Sequence, residues 1–428
     1  MNRDVTRLRN IGILTSVDAG NVTCRNTLFQ LIGGRTIEGG EHPAGPLVGR
    51  DALPASAGSW TPRSGPFADE PMELTFVTPA ARVLDGALVV LDGARGVVET
   101  ADAALRNVCA RRLPCVVFID EVGRPEDLEA MVAALELDSG MTAVPVQLPW
   151  NDGRGSHVVD VLDQRLVVGP DTEERELRPI PPELEETVGR IRRRIVDICA
   201  EVDERIYGAS VAGLGIGGDE LARALRKAMF ARDARMLVVT CGSLRARRGA
   251  GLLLDALVTY LPSPADRPPV FGLDPRRAVT VARFAREDAA LAATVFATSN
   301  VPVLGELTWV RIHSGTMDVS ATINVLPRDS RGRIERIFLP HVRGLLEVNT
   351  AGPGQVVCVT GVADACVGDT IACVRAPVVL DEVHAPRRAP AAAAVDGVAP
   401  PHTSTIWSVA RSLQSVPASN TGLRRSRS

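Results

Sequence analysis

Residues 9–23 constrain the fold of this sequence more than any other stretch. They read R-N-I-G-I-L-T-S-V-D-A-G-N-V-T, which indicates a short buried strand at 11–14, a tight loop at 15–20 and then the start of a helix. A loop of this kind surrounds an anion with backbone N–H groups and the positive end of a helix, and its glycine lets the backbone approach closely. The sequence therefore predicts the scaffold of a phosphate-binding loop.

Two side chains that such a loop normally uses are absent. Its last glycine is normally followed by a lysine, which reaches the β- and γ-phosphates, and then by a serine or threonine, which holds Mg²⁺. Here Asn21 and Val22 take those places, and Thr23 comes one residue too late for the metal. An ordinary helix-start threonine is the simpler interpretation of Thr23. The candidate loop residues are Asp18, Ala19, Gly20, Asn21, Val22 and Thr23.

The first large region, residues 1–264, has the pattern of an α/β domain. Buried apolar runs alternate with helical patterns, which predicts a mostly parallel sheet with right-handed crossovers. An inserted subdomain is expected at about 144–232, and it contains a charged amphipathic helix predicted at 182–207. Residues 35–71 have little periodicity and are predicted to form a long, mobile surface loop.

The residue pattern of the sequence changes near residue 265. Short alternating runs, separated by Gly, Asp and Asn, extend over residues 265–385 and predict a small β-barrel. Residues 386–428 are rich in Pro and Ala and then in Ser and Arg, and we expect them to be disordered. The predicted fold is therefore α/β plus all-β, with a P-loop-NTPase-like sheet followed by a barrel.

Composition excludes several classes of function. The 428 residues carry a formal net charge of −3, so DNA is not an expected partner. No apolar run reaches the roughly 20 residues that span a membrane, and the N-terminus lacks the order of a secretory signal. The eight cysteines form no C-x-x-C pair, which favours free thiols in a reducing cytoplasm over a metal site.

Six segments carry a resemblance to a known family. They are R-N-I-G-I-L-x-x-V-D-A-G at 9–20, R-V-L-D-G-A-L-V-V-L-D-G-A-R-G-V at 82–97, Q-L-P-W at 147–150, C-G-S-L-R-A-R-R-G-A-G-L-L-L-D-A-L-V-T-Y-L-P-S-P at 241–264, G-E-L-T-W-V-R-I-H-S-G-T-M at 305–317 and G-D-T-I-A-C at 368–373. Together they resemble bacterial elongation factor G, a translational GTPase, and its tetracycline ribosomal-protection relatives. The resemblance covers about residues 9–385 and implies the first two of that family's five domains, a truncated form of the family, with a translation-factor-type barrel.

The resemblance implies a protein that binds GTP with Mg²⁺ and docks on the ribosome, but the switch motifs depart from the family. The first switch has no counterpart in residues 35–71. The second switch, D-T-P-G-H in the family, is replaced by V-T-P-A at 77–80, which runs directly into R-V-L-D at 82–85. The histidine that positions the attacking water is thereby lost, together with the switch helix.

The guanine motif departs as well. N-K-x-D of the family becomes D-E-V-G at 120–123, which removes the carboxylate that reads the guanine edge and places Asp120 and Glu121 near the base. The last loop keeps Ser243. Asp120 and Ser243 thus join the loop residues as positional equivalents of a GTP site that is expected to be impaired.

Phosphoryl transfer depends on a metal, a lysine and a positioned water, so we predict no catalytic residue and no metal ligand in this chain. The leading hypothesis is a pseudo-GTPase with weak or lost GTP binding. An active GTP-binding translation factor that holds Mg²⁺·GTP in an altered way is the alternative, and a decayed gene fragment without a role is a third possibility.

The remaining role would be binding to small-subunit ribosomal RNA through the barrel, as the resemblance implies. The candidate contacts are Arg311, Arg331, Arg333, Arg336 and Arg343, with an ordinary solvated barrel surface as the alternative. Arg245, Arg247 and Arg248 of the last loop are open to two interpretations, a phosphate contact or a solvated, RNA-facing loop.

Overall fold

The computed structural model describes residues 4–15, 18–32, 55–77, 83–94, 105, 106, 108, 110, 112–153, 156–168, 176–231, 235–301, 304–342, 344–362 and 364–380. The predicted disordered tail at 386–428 lies outside the described residues. Within them, no helix combines the length and the apolar character that crossing a membrane requires.

A seven-stranded sheet forms the centre of the first region. In chain order its strands are β1 (Leu8–Thr15), β2 (Ala55–Trp60), β3 (Met72–Val77), β4 (Gly86–Asp92), β5 (Cys115–Asp120), β6 (Thr142–Pro145) and β11 (Met236–Gly242). Their order in the sheet is β2-β3-β1-β4-β5-β11-β6, and all the strand pairs are parallel except β2–β3. Buried runs such as V-V-F-I in β5 explain the parallel arrangement, because both faces of such a sheet are covered.

Six helices have their full bounds within the described residues. They are α1 (Asp18–Ile32), α2 (Pro125–Ser139), α3 (Pro182–Ala200), α4 (Glu204–Val211), α5 (Gly218–Ala231) and α6 (Ala250–Tyr260). Helix α6 is buried along its whole length, which its apolar sequence A-G-L-L-L-D-A-L-V-T-Y requires. It packs on β5 and β11 and also contacts α1 and α5.

Between β6 and β11 the chain forms an antiparallel sheet and three helices. The strands of this sheet are β7 (Gln147–Asn151), β8 (Ser156–Asp160), β9 (Arg165–Val168) and β10 (Glu176–Pro179), in the order β10-β9-β8-β7. The single helix predicted at 182–207 is wrong, because α3 ends at Ala200 and α4 begins at Glu204. Asp203 causes the new start: its carboxylate accepts a hydrogen bond from the backbone N–H of Arg205 (3.1 Å) and caps α4.

The mobile loop predicted at 35–71 is also wrong in its second half. Residues 55–60 form the edge strand β2, and residues 61–70 are described as turns and bends that follow it. The A-S-A-G-S-W sequence has little strand propensity of its own, so its pairing with β3 sets its conformation. Residues 35–54 lie outside the described residues.

The second region is all β. Two short strands, β16 (Met317–Asp318) and β21 (Thr350–Ala351), pair with each other, and β12 (Val270–Asp274), β13 (Val279–Arg283) and β24 (Val379–Leu380) form a sheet in the order β13-β12-β24. The strands of the main antiparallel sheet are β14 (Ala292–Val301), β15 (Gly305–Ser314), β17 (Thr322–Leu326), β18 (Ser330–Arg333), β19 (Ile337–His341), β20 (Gly344–Val348), β22 (Val356–Val359) and β23 (Thr370–Cys373). This sheet has the order β18-β17-β23-β14-β15-β22-β19-β20 and encloses a core of Val, Ile, Leu and Ala side chains.

The barrel and the parallel sheet share buried contacts. Trp309, Phe338 and Val356 of the barrel belong to the same continuous apolar cluster as the strands of the parallel sheet. The backbone N–H of Val342 donates a hydrogen bond to the carbonyl of Ala57 in β2 (2.8 Å), so the barrel also covers the edge of the parallel sheet. An edge strand that is covered in this way cannot pair with another chain.

Candidate functional site

The first loop is shorter than the sequence indicated. Strand β1 ends at Thr15 and α1 begins at Asp18, so only residues 16 and 17 separate them, and the predicted loop at 15–20 is wrong over 18–20. An aspartate in the first turn is favourable because of the exposed N–H groups and the positive end of the dipole, which suits an early helix start. The candidate residues 18–23 therefore lie on the first turns of α1, and their side chains are outside the described structure.

The structure brings Asp120 and Ser243 together. Asp120 ends β5 and Ser243 directly follows the neighbouring parallel strand β11. The Asp120 carboxylate accepts a hydrogen bond from the backbone N–H of Leu244 (2.8 Å), and the Ser243 hydroxyl donates one to the Glu121 carboxylate (2.8 Å). Burial, more than the nearby carboxylates, raises the pKa of Asp120 to about 6. The polar groups at this edge of the sheet therefore bind one another.

The last loop, residues 243–248, is tied to α1. Its two ends exchange backbone hydrogen bonds of 2.8 and 2.9 Å, which close the loop. The hydroxyl of Thr27 donates to the Leu244 carbonyl (3.4 Å), and the Arg247 guanidinium donates to the side chain of Gln30. Arg247, one of the arginines considered for a phosphate contact, is thus bound to the protein itself.

The connection between β3 and β4 corresponds to the segment in which the family's second switch was expected to be lost, and the register of the two strands explains how the connection can be so short. Parallel strands normally need a crossover of about a dozen residues or more, because the chain must return to the start of the next strand. Here Val77, at the end of β3, pairs with Gly12 of β1, and Gly86, at the start of β4, pairs with the adjacent Ile11. Because β3 and β4 lie on either side of β1, the two ends that the connection joins are only about 10 Å apart.

Gly12 is the residue of β1 that this crossing requires. A Cβ atom built on Gly12 would lie 2.4 Å from Cδ1 of Leu84, so a larger residue would displace the end of the Leu84 side chain. Leu84 is itself buried. The glycine of the I-G-I motif thus allows Leu84 to pack on the strand, and residues 78–82, which precede this contact, lie outside the described structure.

Asp85 is the centre of a buried polar network that sequence reasoning missed. Its carboxylate binds the Arg311 guanidinium (2.9 and 3.0 Å) and accepts a hydrogen bond from the Asn10 side-chain amide (2.6 Å). The same amide donates to the Gly354 carbonyl (3.0 Å), and Arg311 also donates to the Val83 carbonyl (3.4 Å). Arg311 and Gly354 belong to the barrel region, so the network joins the end of the altered switch connection to the barrel.

The barrel arginines do not form a single surface. Arg311, predicted as an RNA contact, is only 4% exposed, and this prediction is wrong because its charge is used inside the protein by Asp85. Arg336 binds Glu347 (2.7 and 2.8 Å) and lies over the ring of Phe338. Arg331 and Arg333 are exposed on the edge strand β18, on the same face, whereas Arg343 lies outside the described residues.

Metal ligands are not grouped in the part of the chain that the structure describes: it holds no cluster of three or more His, Cys, Asp or Glu side chains with suitable geometry. Most of the described cysteines are buried. Burial raises the pKa of the Cys24 and Cys241 thiols well above the usual range.

The chain is similar to curated proteins and to a solved structure. Elongation factor G of Thermotoga petrophila is 30% identical over 404 residues, which are 90% of this chain and 57% of that protein. Elongation factor G of Thermotoga maritima is 30% identical, over 90% of this chain and 58% of that protein. The chain thus spans little more than half the length of these relatives.

A crystal structure of a protein from Thermus thermophilus matches with a TM-score of 0.66 at 20% identity, over 87% of this chain and 55% of that one. This match confirms the predicted fold class, an α/β sheet followed by a β-barrel. No protein-family model matches the chain.

Proposed function

We propose that this chain, a relative of elongation factor G as its motifs predict and its curated matches confirm, is a pseudo-GTPase that has little or no GTP turnover. The observation that carries the proposal is the connection between β1 and α1. A working loop has the form G-x-x-x-x-G-K-[ST] and wraps several backbone N–H groups around the phosphates. In this chain residues 18–20 already belong to α1, so they do not form such a wrap.

The base site supports the same proposal. Guanine recognition in the family requires a carboxylate that accepts hydrogen bonds from the base, and Gly123 stands where that carboxylate would be. Asp120 and Glu121 are present beside it, but their carboxylates already accept bonds from Leu244 and Ser243. A nucleotide would have to break these contacts before it could bind.

The size of the loss makes weak binding the expected result. A hydrogen bond that involves a charged group contributes about 1.5–3 kcal/mol. Losing both the loop lysine and the guanine-reading aspartate removes roughly 3–6 kcal/mol, which corresponds to about a hundredfold to ten-thousandfold in affinity. The buried Asp85 network, in place of a mobile second switch, further opposes a response to a γ-phosphate.

Calorimetric titration with GTP, GDP and ATP in the presence of Mg²⁺ tests the proposal. We expect no saturable heat up to about 1 mM nucleotide, which means a binding free energy weaker than roughly −4 kcal/mol. Elongation factor G of Thermotoga maritima, titrated in the same buffer, serves as the reference protein. Saturable, magnesium-dependent binding in the micromolar range would overturn the proposal and favour an active GTP-binding factor.

The remaining activity is proposed to be binding, in the cytoplasm, to the small ribosomal subunit. Arg331 and Arg333 support it: both are exposed, lie two residues apart on one face of an edge strand, and have no carboxylate partner among the described residues. Residues two apart on a strand are spaced about 7 Å along it, and guanidinium groups carried at such a spacing suit the repeated phosphates of an RNA backbone.

Co-sedimentation with ribosomes at low and moderate salt tests this role. The variant R331Q/R333Q is expected to lower the bound fraction several-fold, because phosphate contacts dominate such affinity. The variant R205Q/R223Q, with exposed arginines of the α4 and α5 region, removes the same charge and should bind as the unaltered protein does. An equal loss of ribosome binding in both variants, or no co-sedimentation with ribosomes at low salt, would exclude binding through Arg331 and Arg333.

A further inference from the structure

The hairpin formed by β12 and β13 presents an unusual apolar face. Phe271 and Leu273 alternate with buried residues along β12 and are 49% and 44% exposed. Register places Ala282 opposite Phe271 and Thr280 opposite Leu273, so these four side chains share one face of the three-stranded sheet. Phe284, directly after β13, is 56% exposed. Exposed aromatic groups concentrated in this way mark an interaction surface.

The tip of the same hairpin is basic. Arg276 and Arg277 are exposed in the turn between the strands, where the buried Asp274 carboxylate accepts their backbone N–H groups (2.9 and 3.3 Å). The Arg276 guanidinium donates to the carbonyl of Val374 (3.0 Å), which fixes it beside the exposed Arg375. None of the three guanidiniums forms an ion pair with a carboxylate among the described residues, so their charge is available to a ligand.

The combination of aromatic and basic groups identifies the ligand class. Single-stranded RNA is bound by stacking of bases on aromatic side chains and by cationic groups that hold the backbone phosphates. β12 extends over about 10 Å from Phe271 to the tip, which is room for two or three stacked nucleotides. An acidic peptide would use the arginines but would leave the flat faces of Phe271 and Phe284 without a stacking partner.

We propose that the exposed face of the β12–β13 hairpin, with Phe271 and Phe284 as stacking groups and Arg276, Arg277 and Arg375 as phosphate contacts, binds single-stranded RNA. This surface belongs to a different sheet from Arg331 and Arg333. The choice of RNA over DNA rests on the proposed ribosomal role, whereas the surface itself is independent of the nucleotide proposal.

Fluorescence anisotropy with a labelled ten-nucleotide uridine RNA, and the full chain without ribosomes or nucleotide, tests the proposal. We expect binding that saturates in the micromolar range at about 50 mM salt and weakens steeply with added salt. F271A/F284A should weaken binding by roughly 30-fold or more through the loss of two stacking contacts. R276Q/R277Q/R375Q should also reduce the slope of log affinity against log salt by about 2.

Matched variants and competing ligands make the result decisive. L137A/L214A removes two exposed apolar side chains elsewhere, and R193Q/R205Q/R223Q removes the same charge; both should bind the RNA as the unaltered protein does. Circular dichroism melting checks that every variant is folded. Affinity that depends on the arginines but not on the phenylalanines, tighter binding of a thymidine DNA, or no binding at all would overturn the proposal. Loss of ribosome binding in R331Q/R333Q with unchanged oligonucleotide binding would separate the two surfaces.

Discussion

At the scale of single residues, the sequence identified positions but not their partners. The resemblance of residues 120–123 to a guanine motif made Asp120 a positional equivalent of a base-site residue, and the structure places Asp120 at the end of β5. Its bond to the Leu244 backbone was beyond prediction because the two residues are distant in the chain. Arg311 was misassigned for the same reason, since an arginine in an alternating strand looks exposed until its buried partner Asp85 is known.

The Asp120 carboxyl should make stability depend on pH. Its pKa in the folded protein is raised to about 6 by burial, above the value of about 3.9 in an unfolded chain. Ionising this buried carboxyl therefore costs folding free energy. The cost is absent below pH 4 and complete above pH 6, so the free energy of unfolding falls as the pH rises between these values. Asp120→Asn keeps the acceptor for Leu244 and removes the penalty, and we expect it to stabilise the protein at pH 7.5 by on the order of 1 kcal/mol after allowance for solvent screening.

Urea unfolding at pH 4.5 and pH 7.5 measures this effect. The gain from Asp120→Asn should be much smaller at the lower pH, where the native aspartic acid is mostly protonated. Asp318→Asn, an exposed carboxylate of β16, is the control and should change little at either pH. An Asp120→Asn variant that is equally destabilised at both values would contradict the prediction.

The pair of Asp85 and Arg311 should be strongly coupled. Removing one partner of a buried ion pair leaves an uncompensated charge and costs about 3–5 kcal/mol. Asp85→Asn and Arg311→Met are each expected to destabilise by that amount, and the double variant should lose clearly less than the sum. Asp288→Asn, which breaks the exposed pair with Arg286, should cost less than about 1 kcal/mol. Additive losses at positions 85 and 311 would show that the network is not coupled.

At the scale of elements, apolar runs were the reliable signal. The apolar runs of β4 and β5 mark these strands in the sequence, because a stretch such as A-L-V-V-L or C-V-V-F-I fits a sheet that is covered on both faces. Strand β2 was missed, since A-S-A-G-S-W carries no pattern and its pairing depends on β3. The early start of α1 at Asp18 was missed because a glycine loop was expected there.

The segment that follows β2 should contribute measurably to stability. The guanidiniums of Arg9 and Arg226 each lie 5.4 Å from the centroid of the Phe67 ring, and both arginines donate to carbonyls at the end of α6. Phe67→Ala removes apolar contact and two cation–π interactions, and we expect a loss of roughly 2 kcal/mol. Phe67→Leu keeps most of the apolar contact and should lose about half as much.

Urea unfolding of both variants, compared with the exposed Phe271→Ala, measures the cation–π part. Phe271→Ala is expected to lie within about 0.5 kcal/mol of the unaltered protein, as is usual for a surface position. If Phe67→Leu were as stable as the unaltered protein, or if neither variant differed from Phe271→Ala, the two arginines would not depend on this ring.

At the scale of the whole molecule, the sequence indicated two regions but not how they are joined. The change of residue pattern near residue 265 lies between the mostly parallel sheet and the antiparallel sheet of the structure. The contact between the two regions is made by residues such as Trp309 and Asn10, whose partners lie in the other region. Local periodicity carries no information on such pairs, which is why the shared core was not predicted.

A shared core predicts that the two regions unfold together. The apolar cluster that contains Trp309, Phe338 and Val356 is continuous with the parallel sheet, and Val342 is bonded to the backbone of β2. Exposing this surface in one region would leave the other with a large unpacked face, so partial unfolding is unfavourable. Calorimetry should therefore give one transition whose van't Hoff and calorimetric enthalpies agree, and the far-UV circular dichroism should change together with the tryptophan fluorescence. Arg311→Met, which weakens the joint alone, should lower this transition or begin to split it, whereas two well-separated transitions in the unaltered protein would mean that the regions are independent.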